Sequence, residues 1–138
     1  MQSDTLVKTE RGVIVMARIL VVDDETSVIV VLKEMLTRLG YDVVTASEAA
    51  QALGLVSLGY IDMVITDIVM PNMSGVELII ELKKRVPSLK IIAISGGSLE
   101  EGPDGYLSRA KKVGVDRCLK KPFMLNTLSD MVKELLPE

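Results

Sequence analysis

From Arg18 onward the chain alternates short, unbroken apolar runs with longer amphipathic stretches, and few folds satisfy that pattern. Ile19-Leu20-Val21-Val22, Met63-Val64-Ile65 and Ile91-Ile92-Ala93-Ile94 have strand length. A strand with one face in water alternates apolar and polar residues. Unbroken runs therefore predict strands covered on both faces, as in a parallel sheet. Val43-Val44-Thr45-Ala46 and residues 115–119 are weaker strand candidates. Between the runs, Val28, Val31, Leu32, Met35, Leu36 and Leu39 recur on one helical face, and Gly40 stops that helix. Ser47 is placed to cap a helix over 48–58. Val76, Ile79, Ile80 and Leu82 predict a helix reaching Val86 before Pro87. Tyr106, Leu107, Ala110 and Val113 predict another, and Leu125, Leu128, Met131, Val132, Leu135 and Leu136 the last. About five strand–helix units in alternation give one α/β domain with right-handed crossovers.

Composition narrows what such a domain can do. At 138 residues the chain has room for one domain, and 49% hydrophobic content excludes a disordered or fibrous chain. The net charge is −3, with Lys and Arg scattered, which argues against nucleic acid or an anionic membrane as partner. There is no His, so histidine general bases, histidine zinc sites and Ser-His-Asp triads are excluded. Cys118 is the only cysteine and cannot form an internal disulfide, which fits a reducing, cytoplasmic setting. No apolar run has membrane-spanning length. Residues 1–16 lack the apolar block of a signal peptide and are expected to be a loosely ordered extension, a start-site artefact or a cloning remnant, with the domain occupying 17–138.

In a parallel sheet the carboxyl ends of all strands lie along one edge, where open α/β sheets place their sites. The first run ends in Asp23-Asp24, the third strand in Asp67, the fourth in Ser95 and the fifth in Lys120-Lys121-Pro122. Carboxylates, a hydroxyl and an amine thus converge on one edge. Two like charges about 4 Å apart repel by roughly 4 kcal/mol at an effective dielectric near 20. Crowded carboxylates must protonate, separate or take up a cation. Hard oxygen donors without His or Cys favour Mg²⁺, whose shell is commonly completed by phosphate oxygens. Lys121 and Ser95 could complete contacts to such a phosphoryl group.

Together, Asp23-Asp24, the run Asp67-Ile68-Val69-Met70-Pro71-Asn72-Met73-Ser74-Gly75, Ser95-Gly96 and Lys121-Pro122-Phe123 resemble the receiver domain of bacterial two-component response regulators, over about Arg18 to Leu136. The resemblance implies a doubly wound, flavodoxin-like sheet of five parallel strands in the order 2-1-3-4-5. It implies that Asp67 is the phosphoacceptor, attacking the phosphohistidine of a sensor histidine kinase or phosphotransfer protein. It further implies that Asp23, Asp24 (the more direct ligand), Asp67 and the backbone carbonyl of Val69 hold Mg²⁺. Lys121 and Ser95 would bind the phosphoryl group, Ser95 would be the switch hydroxyl, and Lys121–Pro122 would be cis. The family's usual aromatic residue three positions before the lysine is replaced here by Cys118, too small for a ring rotation. Cys118 itself is read as a small apolar strand residue.

Val69 and Gly97 stand two residues past Asp67 and Ser95, and neither side chain can orient a water; a long-lived aspartyl phosphate is expected. The glycine-rich stretch over 96–105 reads as a loop that lets the following helix shift on phosphorylation. Because the sequence ends directly after the last helix, a stand-alone, chemotaxis-regulator-like phosphoacceptor is expected, whose output is binding to a downstream protein. It would not be an enzyme beyond promoting its own phosphorylation and dephosphorylation. Other readings remain open: a phosphorylation-independent adaptor, or a flavin or nucleotide binder on the same fold. The Asp23-Asp24-Glu25 turn disfavours bound phosphate unless a metal intervenes, and Val69 stands where an aspartate-based phosphatase needs its second acid.

Overall fold

The computed structural model describes residues 6–8, 14–68, 75–96 and 106–136. Its main sheet comprises β3 (Arg18–Val22), β4 (Asp42–Ala46), β5 (Met63–Asp67), β6 (Lys90–Ser95) and β7 (Arg117–Lys120), preceded by a short pair, β1 (Leu6–Lys8) and β2 (Ile14–Met16). The helices are α1 (Thr26–Arg38), α2 (Ala49–Ser57), α3 (Gly75–Arg85), α4 (Tyr106–Lys112) and α5 (Leu125–Leu135). The five strands run in the order β4-β3-β5-β6-β7, every neighbouring pair parallel, which is the expected 2-1-3-4-5 sheet.

The burial pattern accounts for the unbroken apolar runs. β5 is buried throughout, and β3 and β6 are buried except at their first residues. On one face Ile19, Val21, Met63, Ile65, Ile92 and Ile94 meet Leu32 and Leu36 of α1 and Leu128 and Val132 of α5. On the other, Leu20, Val22, Val64, Ile91 and Ala93 meet α2, α3 and α4 through residues such as Ala52, Val56, Ile79, Leu82 and Ala110. Each buried Ile, Leu or Val removes enough apolar surface to contribute about 1.5–3 kcal/mol. The edge strands β4 and β7 are half-buried, which is why their sequences carry weaker strand signals.

One local expectation is corrected. Ser47 does not cap α2: the cap position is Glu48, without a side-chain cap bond, and the Ser47 amide instead donates to Gln51 Oε1 at 3.2 Å. Within residues 1–16, β1 and β2 pair antiparallel with Leu6 opposite Met16, which leaves the origin of this extension as it was expected. Val7, Ile14 and Val15 are β-branched and favour a strand. Gly40, with φ 97°, ends α1 as expected, because that left-handed conformation is open to glycine without steric cost.

Candidate functional site

The register of the sheet carries the polar residues to one edge. Asp67 ends β5 opposite Ile94 of β6, so Ser95 follows on the adjacent strand. Ser95 in turn pairs with Lys120 of β7, and its carbonyl accepts the Lys121 amide at 2.8 Å. The Asp23 amide donates to the Ala46 carbonyl at 3.1 Å, extending the β3–β4 ladder to the same edge. Asp23, Asp67 and Ser95 are all buried.

Two glycines make the edge possible. A Cβ on Gly75 would collide with the backbone of Asp67 and Ile68, and the Gly75 amide donates to the Ile68 carbonyl at 2.6 Å, so the start of α3 lies tight against the end of β5. A Cβ on Gly96 would lie 3.3 Å from Lys121 Cδ, so glycine there leaves room for the lysine stem. The Lys121–Pro122 bond is cis, as expected.

Lys121 Nζ lies 3.3 Å from Glu25 Oε1, 3.7 Å from Asp67 Oδ2 and 3.8 Å from Asp23 Oδ2. Burial works to lower the lysine's pKa, but Asp67, Asp23 and Glu25 outweigh it and hold the ammonium above the usual lysine range. Burial pushes the Asp23 carboxyl up to about 6 against the pull of the Glu25 amide, and the Asp67 charge adds to the rise. Asp23 Oδ1 accepts that amide at 2.9 Å, whereas Asp23 Oδ2, fully buried, has no hydrogen-bond partner.

Carboxylate oxygens of Asp23, Glu25 and Asp67 lie within 4.8 Å of one another, a cluster that could bind a metal ion. A buried, unpartnered carboxylate oxygen facing two more acids is the arrangement a hard divalent cation satisfies. The residues present fit such an ion. Asp24, expected as the more direct ligand, and Glu25 are both exposed, and Glu25 contributes a carboxylate oxygen to this cluster.

Cys118 pairs with Ala93 in the sheet, and burial pushes its thiol up, with Lys111 pulling the other way. Val69 and Gly97, and with them the loop expectation over 97–105, lie outside the described residues. Beside Lys121 an apolar groove of about 430 Å³ runs between α1 and the turn after β7, lined by Val28, Val31, Met35, Gly96, Pro122 and Phe123 among others.

A parallel doubly wound sheet with buried acids, a hydroxyl and a lysine at its carboxyl edge defines the class of protein: an open α/β domain with its site at the strand ends. The response regulator receiver domain model matches residues 19–133, and the chain belongs to that family. Phosphoacceptance in two-component signalling is therefore its role. The chain is 37% identical over 117 residues to the Sensor protein EvgS of Escherichia coli (strain K12), covering 85% of this chain and 9% of that protein. It is 37% identical over 120 residues to the DNA-binding transcriptional regulator NtrC of Azospirillum brasilense, covering 87% and 24% respectively. The chain thus spans only a minor part of these relatives. A crystal structure of a response regulator receiver domain protein from Clostridium thermocellum superposes with a TM-score of 0.79 at 32% identity, over 88% of this chain and 94% of that one. Among the described residues no helix is long and apolar enough to cross a membrane.

Proposed function

We propose that Asp67 is the residue that accepts the phosphoryl group, and that this chain is a phosphorylation switch read by another protein. The observation that carries the reading is the Lys121 ammonium beside the buried Asp67 carboxylate, with an Asp23 oxygen that makes no hydrogen bond next to it. An Asp67 carboxylate oxygen attacks phosphorus of a donor phosphohistidine. The P–N bond breaks, the electron pair leaves with the imidazole, and an acyl phosphate remains on Asp67. Mg²⁺ held by Asp23 and Asp67, with Asp24, Glu25 and the Val69 carbonyl as further oxygen donors, would supply charge neutralisation on the transferring oxygens. Lys121 places a second positive charge there, and Ser95 supplies a hydroxyl from the neighbouring strand end. In this way the domain promotes its own phosphorylation and dephosphorylation.

The donor is a sensor histidine kinase or phosphotransfer protein, and the output is a protein contact in the cytoplasm rather than binding to nucleic acid or membrane. The scattered basic residues and the charge of −3 support a protein partner. The groove shares Lys121 with the acid cluster, which supports it as the surface a protein donor would contact. The test is intact mass after incubation with acetyl phosphate and Mg²⁺. Wild type is expected to gain one phosphoryl group and Asp67→Asn none; equal labelling of both would overturn the assignment of Asp67.

A further inference from the structure

We propose that Thr66 is a positioning residue, whose buried hydroxyl fixes the peptide after Asp67 and so aims the Asp67 carboxylate at the metal; the inference rests on the reading of Asp67 as phosphoacceptor. Thr66 is fully buried, and the sheet register sets it between Val22 of β3 and Ala93 of β6. Val22, Val64, Ile68 and Ala93 all pack in the apolar layer under α2, α3 and α4. Alternation along β5 puts the Thr66 side chain on the face of Val64, opposite that of Asp67. A hydroxyl in such a layer costs free energy unless it is hydrogen-bonded, and a valine would fill the same space without that cost. The Thr66 hydroxyl has a partner: it donates to the Asp67 carbonyl at 3.0 Å. The one polar group in this part of the layer is thus bonded to the backbone of the phosphoacceptor.

The peptide between Asp67 and Ile68 is held at both of its polar ends. Its N–H, on Ile68, donates to the Ile94 carbonyl of β6 at 3.1 Å, and its carbonyl accepts the Thr66 hydroxyl. Gly75 lies against the same peptide without room for a Cβ, and the Gly75 amide bonds the next carbonyl, that of Ile68, at 2.6 Å. The tilt of this peptide sets the ψ angle of Asp67, and with it the direction of the carboxylate. It also sets the course of the chain toward Val69, whose carbonyl is a further proposed donor. Mg²⁺ demands near-octahedral oxygens at about 2.0–2.1 Å, so a small tilt moves donors out of place. Removing the hydroxyl removes one restraint and lets the peptide tilt about the Ile68 hydrogen bond.

The experiment titrates MgCl₂ into the metal-free domain, well below its melting temperature, and follows the amide NMR shifts of Gly96 and Lys121. Wild type, Thr66→Val, Thr66→Ala and Thr66→Ser are compared. Binding measured there is that of the folded domain, so a substitution that only lowers stability leaves it unchanged. The two variants without a hydroxyl are expected to bind Mg²⁺ about two- to tenfold more weakly than wild type, the weight of one hydrogen bond. Thr66→Ser keeps the hydroxyl and is expected to bind as wild type does. Should Thr66→Val fail to fold, the contrast between Thr66→Ala and Thr66→Ser decides. Wild-type affinity without the hydroxyl overturns the proposal. So does equal weakening in Thr66→Ser, which would make the lost methyl group responsible. Labelling of wild type by acetyl phosphate, read by intact mass, separates the two readings. If wild type is labelled and the hydroxyl proves irrelevant to Mg²⁺, the positioning role alone fails. If wild type takes no label, the phosphoacceptor reading fails and the proposal fails with it.

Discussion

Lys121 Nζ lies 3.7 Å from Asp67 Oδ2, although β7 and β5 are separated in the sheet by β6. The lysine reaches across because Gly96, at the end of β6, carries no side chain to block its stem. Its ammonium compensates two buried carboxylates, those of Asp67 and Asp23. Lys121→Ala is expected to cost about 1–3 kcal/mol of stability in metal-free protein, because breaking a buried pair leaves the other charge uncompensated. Urea unfolding at pH 7 in chelator measures this, and added Mg²⁺ should restore part of the loss. An unchanged midpoint would mean that Lys121 contributes nothing to holding the acids together.

Asp23 links stability to pH with a sign opposite to that of most carboxylates. Its folded pKa is raised from 3.8 to about 6, so between those values the folded state binds more protons than the unfolded state. The metal-free domain should therefore lose stability as pH rises from about 4 to about 6, by on the order of 2–3 kcal/mol from this group. Thermal melts in chelator are expected to shift down across that window. Asp23→Asn should flatten the trend, and Mg²⁺ at pH 7 should raise the melting temperature of wild type more than of the variant. A wild-type profile that climbs through the window would contradict the account.

Gly75 tests how tightly the start of α3 is fixed against the phosphoacceptor strand. A Cβ there meets backbone on both Asp67 and Ile68, and backbone cannot move aside as a flexible side chain can. Gly75→Ala is expected to destabilise by about 2–4 kcal/mol. It should also displace the Asp67 amide resonance, which a remote destabilising change would not do. A variant with wild-type melting temperature would show that the approach can relax.

The fold and most of the site were legible in the sequence because burial writes itself into residue type. β3, β5 and β6 sit between two helical layers, so nothing polar interrupts them until the chain leaves the sheet, and Asp23, Asp67 and Ser95 mark those exits. β4 and β7 were faint because an edge strand tolerates Asp42, Arg117 and Lys120. Asp23, Asp24 and Glu25 look alike as three consecutive acids in a sequence, whereas the fold buries Asp23, whose Oδ1 accepts the Glu25 amide, and leaves the other two exposed. Ser47 illustrates the converse: a good capping residue is unused when the chain enters α2 one residue later.

In the sequence, Val69 and Gly97 stand two positions past Asp67 and Ser95, and neither side chain has a polar group with which to orient a water on the proposed acyl phosphate. The phosphorylated domain is expected to persist for minutes or longer in Mg²⁺, and Val69→Asn to shorten that lifetime severalfold. Intact mass followed over time after removal of the donor reads both values. A half-life of seconds in wild type would defeat the expectation.

Val31 of α1 lines the groove beside Lys121 and is 44% exposed. On the proposed reading, a small donor such as acetyl phosphate needs only the edge of the sheet, whereas a phosphohistidine on a protein would also bring its surroundings against this groove. Val31→Asp places a charge on that apolar surface, and desolvating it against a partner is unfavourable. Labelling by acetyl phosphate is expected to stay at the wild-type rate, while transfer from a phosphorylated histidine protein slows by about tenfold. Equal slowing with both donors would place the effect in the chemistry of Asp67. No slowing with either would move the donor's footprint to another face of the domain.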